Sequence, residues 1–195
     1  MGQILSLGHT TNAFGTQTTS MRPLALLLLS TILAVTTAQT TVNVIPGNVT
    51  DSPSAVQFSS PGFGFDGVKV LPLNSSTFEW WYFDAISLDL DYSLVLVFYA
   101  AASTGLDPEV PPTTSSATYA SLTLTLPDGS SVDGSAVGED LRVVTVGNGS
   151  SGTLGNTGWS WSGLPDMSEY AVTIASSESG MEGSISLQSV SRNIL

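Results

Sequence analysis

One stretch of the sequence, Phe78-Glu79-Trp80-Trp81-Tyr82-Phe83-Asp84-Ala85, sets two carboxylates among five aromatic side chains. Aromatics bury large areas and ordinarily serve a core. A carboxyl group packed beside them is paired or raised in pKa, and a raised acid can donate a proton or a hydrogen bond. In an extended strand Glu79, Trp81, Phe83 and Ala85 share one face, and Trp80, Tyr82, Asp84 and Ile86 share the other. Glu79 and Asp84 therefore point to opposite sides and do not form one acid/base pair. One faces a pocket, and the other meets a structural partner such as Lys69 or Arg142. Glu79 is the candidate catalytic group. Trp81, Tyr82 and Asp84 are candidate substrate-binding residues, although Trp80, Trp81 and Phe83 serve equally well as core.

The rest of the inventory is narrow. The sequence has no Cys, and its single His, His9, lies ahead of an N-terminal apolar run. That run, Arg22 followed by Leu24–Leu29 and Ile32–Val35, ends in Thr36-Thr37-Ala38. A basic start, a short apolar stretch and a small-residue exit read as a signal peptide cleaved near Ala38, with the true start at Met1 or Met21. Cleavage leaves 157 of the 195 residues, without His or Cys. Ser-His-Asp and Cys-His catalysis are then excluded, as is a His or thiolate zinc site. Three cations, Lys69, Arg142 and Arg192, stand against sixteen acids, a net −13. That balance excludes nucleic acid and anionic membrane surfaces as partners. The mature chain has no expected membrane span and no expected metal or cofactor. Asn48, Asn74 and Asn148 begin glycosylation sequons that suit a secreted protein. The expected destination is the secretory pathway, with release from the cell.

The elements that must position these residues are strands. From Thr40 onward short β-prone runs alternate with Gly, Pro, Ser, Asn and Asp. Strands are expected at Thr41–Ile45, Val68–Leu71, Phe78–Leu88, Ser93–Ala102, Ala117–Leu126, Leu141–Val146, Trp159–Trp161, Tyr170–Ala175 and Ser184–Val190. Asp89-Leu90-Asp91 reads as a hairpin turn, as do Pro127-Asp128-Gly129-Ser130 and Asn148-Gly149. Gly62–Gly67 reads as a loop with aromatic anchors, and 105–116 as a Pro/Thr/Ser-rich loop. Both faces of the Phe78–Leu88 strand are apolar, so both are expected to be covered. Trp159 and Trp161 share a face and read as core. The fold class is all-β, an antiparallel β-sandwich or lipocalin-like half-barrel.

Glu79-Trp80-Trp81-Tyr82-Phe83-Asp84 resembles the signature of a lipocalin-like superfamily that includes the bacterial carotenoid hydratases and the fungal Diels–Alderases. The flanking Ser76-Thr77-Phe78 and Ala85-Ile86-Ser87, with Tyr119-Ala120-Ser121-Leu122-Thr123-Leu124 beyond, resemble the fungal branch. The resemblance runs from Thr40 to Val190 and is specific over Phe78–Leu126. It implies a two-domain β protein with its substrate pocket between the domains. Residues 1–38 are then extension and signal peptide, and 39–195 are the N-terminal β domain, with the C-terminal domain missing from this chain. The implied activity is an intramolecular [4+2] cycloaddition of a linear polyene or polyketide in secondary metabolism. Such an enzyme folds an apolar small molecule into one reactive conformer and hydrogen-bonds its activating carbonyl, without a cofactor. Rival readings are an isoprenoid hydratase, which needs a protonated Asp84 or Glu79, and a non-enzymatic secreted carrier of apolar ligands. The substrate and the oligomeric state are not encoded legibly.

Overall fold

In the computed structural model of the chain, residues 38–58, 62–102, 116–176 and 180–189 are described. The apolar run 22–38 thus lies almost entirely outside the described residues, as do His9 and nearly all of the 105–116 loop. Twelve strands are present and no helix among the described residues. They are β1 (Thr40–Pro46), β2 (Ala55–Val56), β3 (Val70–Leu71), β4 (Phe78–Ile86), β5 (Ser93–Ala101), β6 (Thr118–Thr125), β7 (Ser131–Val137), β8 (Asp140–Val146), β9 (Gly149–Leu154), β10 (Trp159–Gly163), β11 (Glu169–Ser176) and β12 (Met181–Gln188).

All pairings are antiparallel. β4-β5-β6-β7 form a four-stranded meander. β8 to β12 form a second meander, which β1 joins at β8 to give a six-stranded sheet. β2 and β3 make a short separate ribbon. The two large sheets face each other in an open sandwich, as the alternating runs predict.

The core lies between them. From the four-stranded sheet come Trp81, Phe83, Leu96, Phe98, Ala100 and Ala120, and from the six-stranded sheet Ile45, Leu141, Val143, Leu154, Trp159, Trp161, Val172 and Ile174. Trp159 and Trp161 are almost wholly buried, which fulfils the core reading of that pair. Trp161 stacks on Trp81 with ring centroids 5.0 Å apart and meets Phe98 at 4.7 Å.

The expectation that both faces of β4 are covered does not hold. Trp80 and Tyr82 are 49% and 53% exposed, and Phe78 and Ile86 are exposed beside them. A two-layer sandwich covers only one face of each sheet, and this apolar face is the outer one.

The turns follow their chemistry with one shift. Asp128 accepts from the Ser130 N–H and hydroxyl, closing the turn before β7. The β8–β9 turn is Gly147-Asn148, with Gly147 at φ +60°, so Gly149 already belongs to the strand. Three strands escape the sequence pattern, the two-residue β2 among them. β7 and β9, with sequences SVDGSAV and GSSGTL, carry no aromatic residue and few β-branched ones. Their small residues make room for bulky neighbours. A Cβ at Gly152 of β9 comes 2.0 Å from the Trp161 ring, and one at Gly134 of β7 comes 2.3 Å from Met181 Sδ.

Candidate active site

β4 is an outer strand of its sheet. A cavity of about 470 Å³ opens along it, lined by Asp66, Trp80, Trp81, Tyr82, Phe83, Met167, Tyr170 and Leu187. Its walls are aromatic and aliphatic, and the residues along it with polar side-chain groups are Asp66, Tyr82, Tyr170, Trp80 and Trp81.

The loop before β3 delivers Asp66. The Asp66 N–H donates to the Asn148 carbonyl at 2.9 Å, and the Gly64 N–H to the Gly147 carbonyl at 2.6 Å. Gly64 holds a φ of +72°, a conformation that suits glycine. Gly67 lies against Thr145, where a Cβ comes 2.6 Å from Oγ1. Phe63 and Phe65 do not anchor this loop, since both are exposed. Backbone bonds and the closeness that glycine permits do so instead.

Asp66 gathers side chains from three strands. Ser150 of β9 donates to Asp66 Oδ2 at 2.6 Å, and Tyr170 of β11 donates to the same oxygen at 2.7 Å. Trp161 Nε1 donates to Ser150 Oγ at 3.1 Å, and Trp81 Nε1 to the Asp66 carbonyl at 3.1 Å. Ser150 and Tyr170 reach one atom across β10 because Gly163 stands between them. A Cβ there comes 2.4 Å from the Tyr170 ring. Burial raises the Asp66 pKa, against the lowering effect of the two hydroxyls and of Lys69. Burial and the Asp66 charge also raise the Tyr170 hydroxyl.

Glu79 is half-buried on the inner face of β4, the face of Trp81 and Phe83. Its carboxyl accepts from the Lys69 N–H at 2.7 Å and the Val70 N–H at 3.4 Å. Its neighbour is thus Lys69 rather than Arg142, through the backbone. Lys69 Nζ donates to the Gly64 carbonyl, which ties the same loop back. Burial pushes Glu79 up to about 7, although both N–H bonds and the Lys69 charge favour its ionised form. The Asp66 charge pushes it further up.

The candidate residues thus separate. Trp81 and Tyr82 line the cavity. Glu79 stands outside its lining, clamped to β3. Asp84 lies exposed on the outer face, away from the cavity. Asp66, Ser150 and Tyr170 were missed by the sequence reading, being 84 and 104 positions apart along the chain. The one available signal was a lone acid in a glycine-rich loop. Of the sequon asparagines, Asn48 is exposed, while Asn74 and Asn148 are half-buried. Asn74 Oδ1 accepts from the Ser76 and Thr77 hydroxyls. No group of three or more His, Cys, Asp or Glu among the described residues is placed to hold a metal ion. No helix among them is long and apolar enough to cross a membrane.

Residues 38–195 match the model of the Diels–Alderase-like family. The chain belongs to that family. It is 30% identical over 158 residues to the quinolone epoxide rearrangement protein asqO of Emericella nidulans, covering 75% of this chain and 40% of that protein. It also superposes on the crystal structure of CghA with Sch210972 at a TM-score of 0.62 and 19% identity, covering 76% of this chain and 39% of that one. That likeness carries the fold. This Diels–Alderase-like chain spans about 40% of the length of the relatives it matches.

Proposed function

We propose that the chain is the β-sandwich part of a cofactor-free cyclase that closes a linear apolar polyene by intramolecular [4+2] cycloaddition. The observation that carries this reading is the aromatic-walled cavity along β4, with carboxyl groups of raised proton affinity at and behind it. Membership of the Diels–Alderase-like family supports it. Trp81, Tyr82 and Phe83 offer flat apolar walls against which a chain can coil, and pre-orientation of diene and dienophile lowers the barrier without any covalent step. A carboxyl group that brings its proton to the cavity polarises the activating carbonyl as charge develops there. Glu79, near neutrality in proton affinity, supports the loop that carries Asp66 and sets the polarity behind the cavity.

The test is turnover of a simple substrate. 1,7,9-Decatrien-3-one, an enone tethered to a diene, isomerises to a bicyclic ketone with all atoms retained. The account expects closure faster than the buffer reaction and an excess of one enantiomer by chiral chromatography. Racemic product at the background rate overturns it. Glu79→Ala slows closure by about tenfold to a hundredfold on this reading. Unchanged turnover by the folded variant removes Glu79 from the catalytic account.

The name of the Emericella nidulans relative favours a second reading, rearrangement of an epoxide. Opening an epoxide needs a proton donor at its oxygen, and a carboxyl of raised pKa serves. Isomerisation of trans-stilbene oxide to a carbonyl product, with no closure of the trienone, selects that reading.

A further inference from the structure

The hydrogen bonds around Asp66 determine which of its oxygens is left over. An indole N–H is a donor only. Trp161 Nε1 points at Ser150 Oγ, so the Ser150 hydroxyl hydrogen is directed away from the indole. Its acceptor is Asp66 Oδ2, and the Tyr170 hydroxyl donates to the same atom. A carboxyl oxygen offers two lone pairs, and both on Oδ2 are taken. Oδ1 has no hydrogen-bond partner among the described residues. It is not among their buried unpartnered atoms either, which are Tyr119 Oη, Thr145 Oγ1 and Trp159 Nε1. Oδ1 therefore reaches open space, and the space that Asp66 lines is the cavity along β4.

The geometry points to Asp66 as the hydrogen-bond donor of this cavity, with its carboxyl proton on Oδ1 offered to a carbonyl oxygen of an otherwise apolar ligand. Ser150, Tyr170 and Trp161 are positioning residues that hold the proton on that side. Backbone bonds to Gly147 and Asn148 fasten the loop alongside the carboxyl's own bonds to Ser150 and Tyr170. Burial supports the assignment by raising the proton affinity of the group. The inference deepens the cyclase reading and rests on it, since the activating carbonyl of the enone is the oxygen that Oδ1 meets.

The test uses β-ionone, a conjugated ketone with a hydrocarbon body. Binding is read by quenching of tryptophan fluorescence, and the carbonyl by its infrared stretch. Bound to the unaltered protein, the carbonyl stretch falls to lower frequency than in hexane. Asp66→Asn keeps a donor at the same place, because the two hydroxyls claim its Oδ1 and turn its amide N–H₂ into the cavity. It retains the shifted stretch and binds within about threefold, whereas Asp66→Leu loses the shift and about tenfold or more in affinity. The infrared measurement on the unaltered protein decides the matter even where Asp66→Leu fails to fold. Binding without a carbonyl shift overturns the assignment alone. Equal loss in folded Asp66→Asn and Asp66→Leu also overturns it, because a hydrogen-bond donor at that place then does not account for the binding. No binding to the unaltered protein overturns the cavity reading and the assignment together.

Discussion

Between about pH 4.5 and pH 7 the folded chain holds a proton on Glu79 that the unfolded chain has released. The folded state binds more protons in that window, so stability falls as pH rises through it and levels off above. The effect reaches about 3 kcal/mol at most. Asp66 adds to it with the same sign. Thermal melts in steps from pH 5 to pH 8 should show Tm falling for the unaltered protein and a clearly shallower fall for Glu79→Gln. Equal slopes in the two proteins contradict this assignment. The sequence made Glu79 and its aromatic neighbours legible because they are consecutive in one strand. It hid Asp66, Ser150 and Tyr170 because only the folding of a loop onto two distant strands brings them together. The placement of Asp84 shows the limit of motif reading, since it shares the outer face with Trp80 and Tyr82, yet those two border the cavity and Asp84 does not.

At the scale of elements, packing rather than propensity decides where β7 and β9 lie. Strands rich in Gly and Ser carry little intrinsic β preference. They form here because their partners bring the bulk: Trp161 over Gly152 and Met181 over Gly134. Gly152→Ala should therefore destabilise the fold by about 1–3 kcal/mol, since a rigid indole in the core has to move. Chemical denaturation measures this, and a loss under about 0.5 kcal/mol contradicts the packing account. Gly183 of β12 is the opposite case. It has no positive φ, and a Cβ there meets nothing within 4 Å. It borders an aliphatic cleft of about 390 Å³ between the sheets, beside Leu94, Leu124 and Ile185. Gly183→Val should raise stability by about 0.5–2 kcal/mol through cavity filling and loss of unfolded-chain freedom. A fall in Tm for Gly183→Val refutes that. The nine strands that were legible, β4, β5, β6, β8 and β11 among them, carry large apolar or β-branched side chains on their own account.

Across the whole molecule, two meanders face each other, and the loop before β3 brings Asp66 to the side where β4 meets β11 and β12. We propose in addition that the chain enters the secretory pathway and loses its first residues near Ala38, on the sequence pattern of Arg22–Ala38. Amino-terminal sequencing of protein expressed in a fungal host should begin within a few residues of Gln39, and an intact Met1 or Met21 contradicts it. The central claim is that the cavity along β4 receives the substrate, and four indole N–H resonances test it. Trp80 and Trp81 line the cavity, Trp161 stacks on Trp81, and Trp159 is buried elsewhere in the core with its N–H unpartnered. Titrating ¹⁵N-labelled protein with 1,7,9-decatrien-3-one should move the Trp80 and Trp81 signals most, Trp161 less, and leave Trp159 in place. Movement of Trp159 alone, or of none of the four at saturating ligand, contradicts the account.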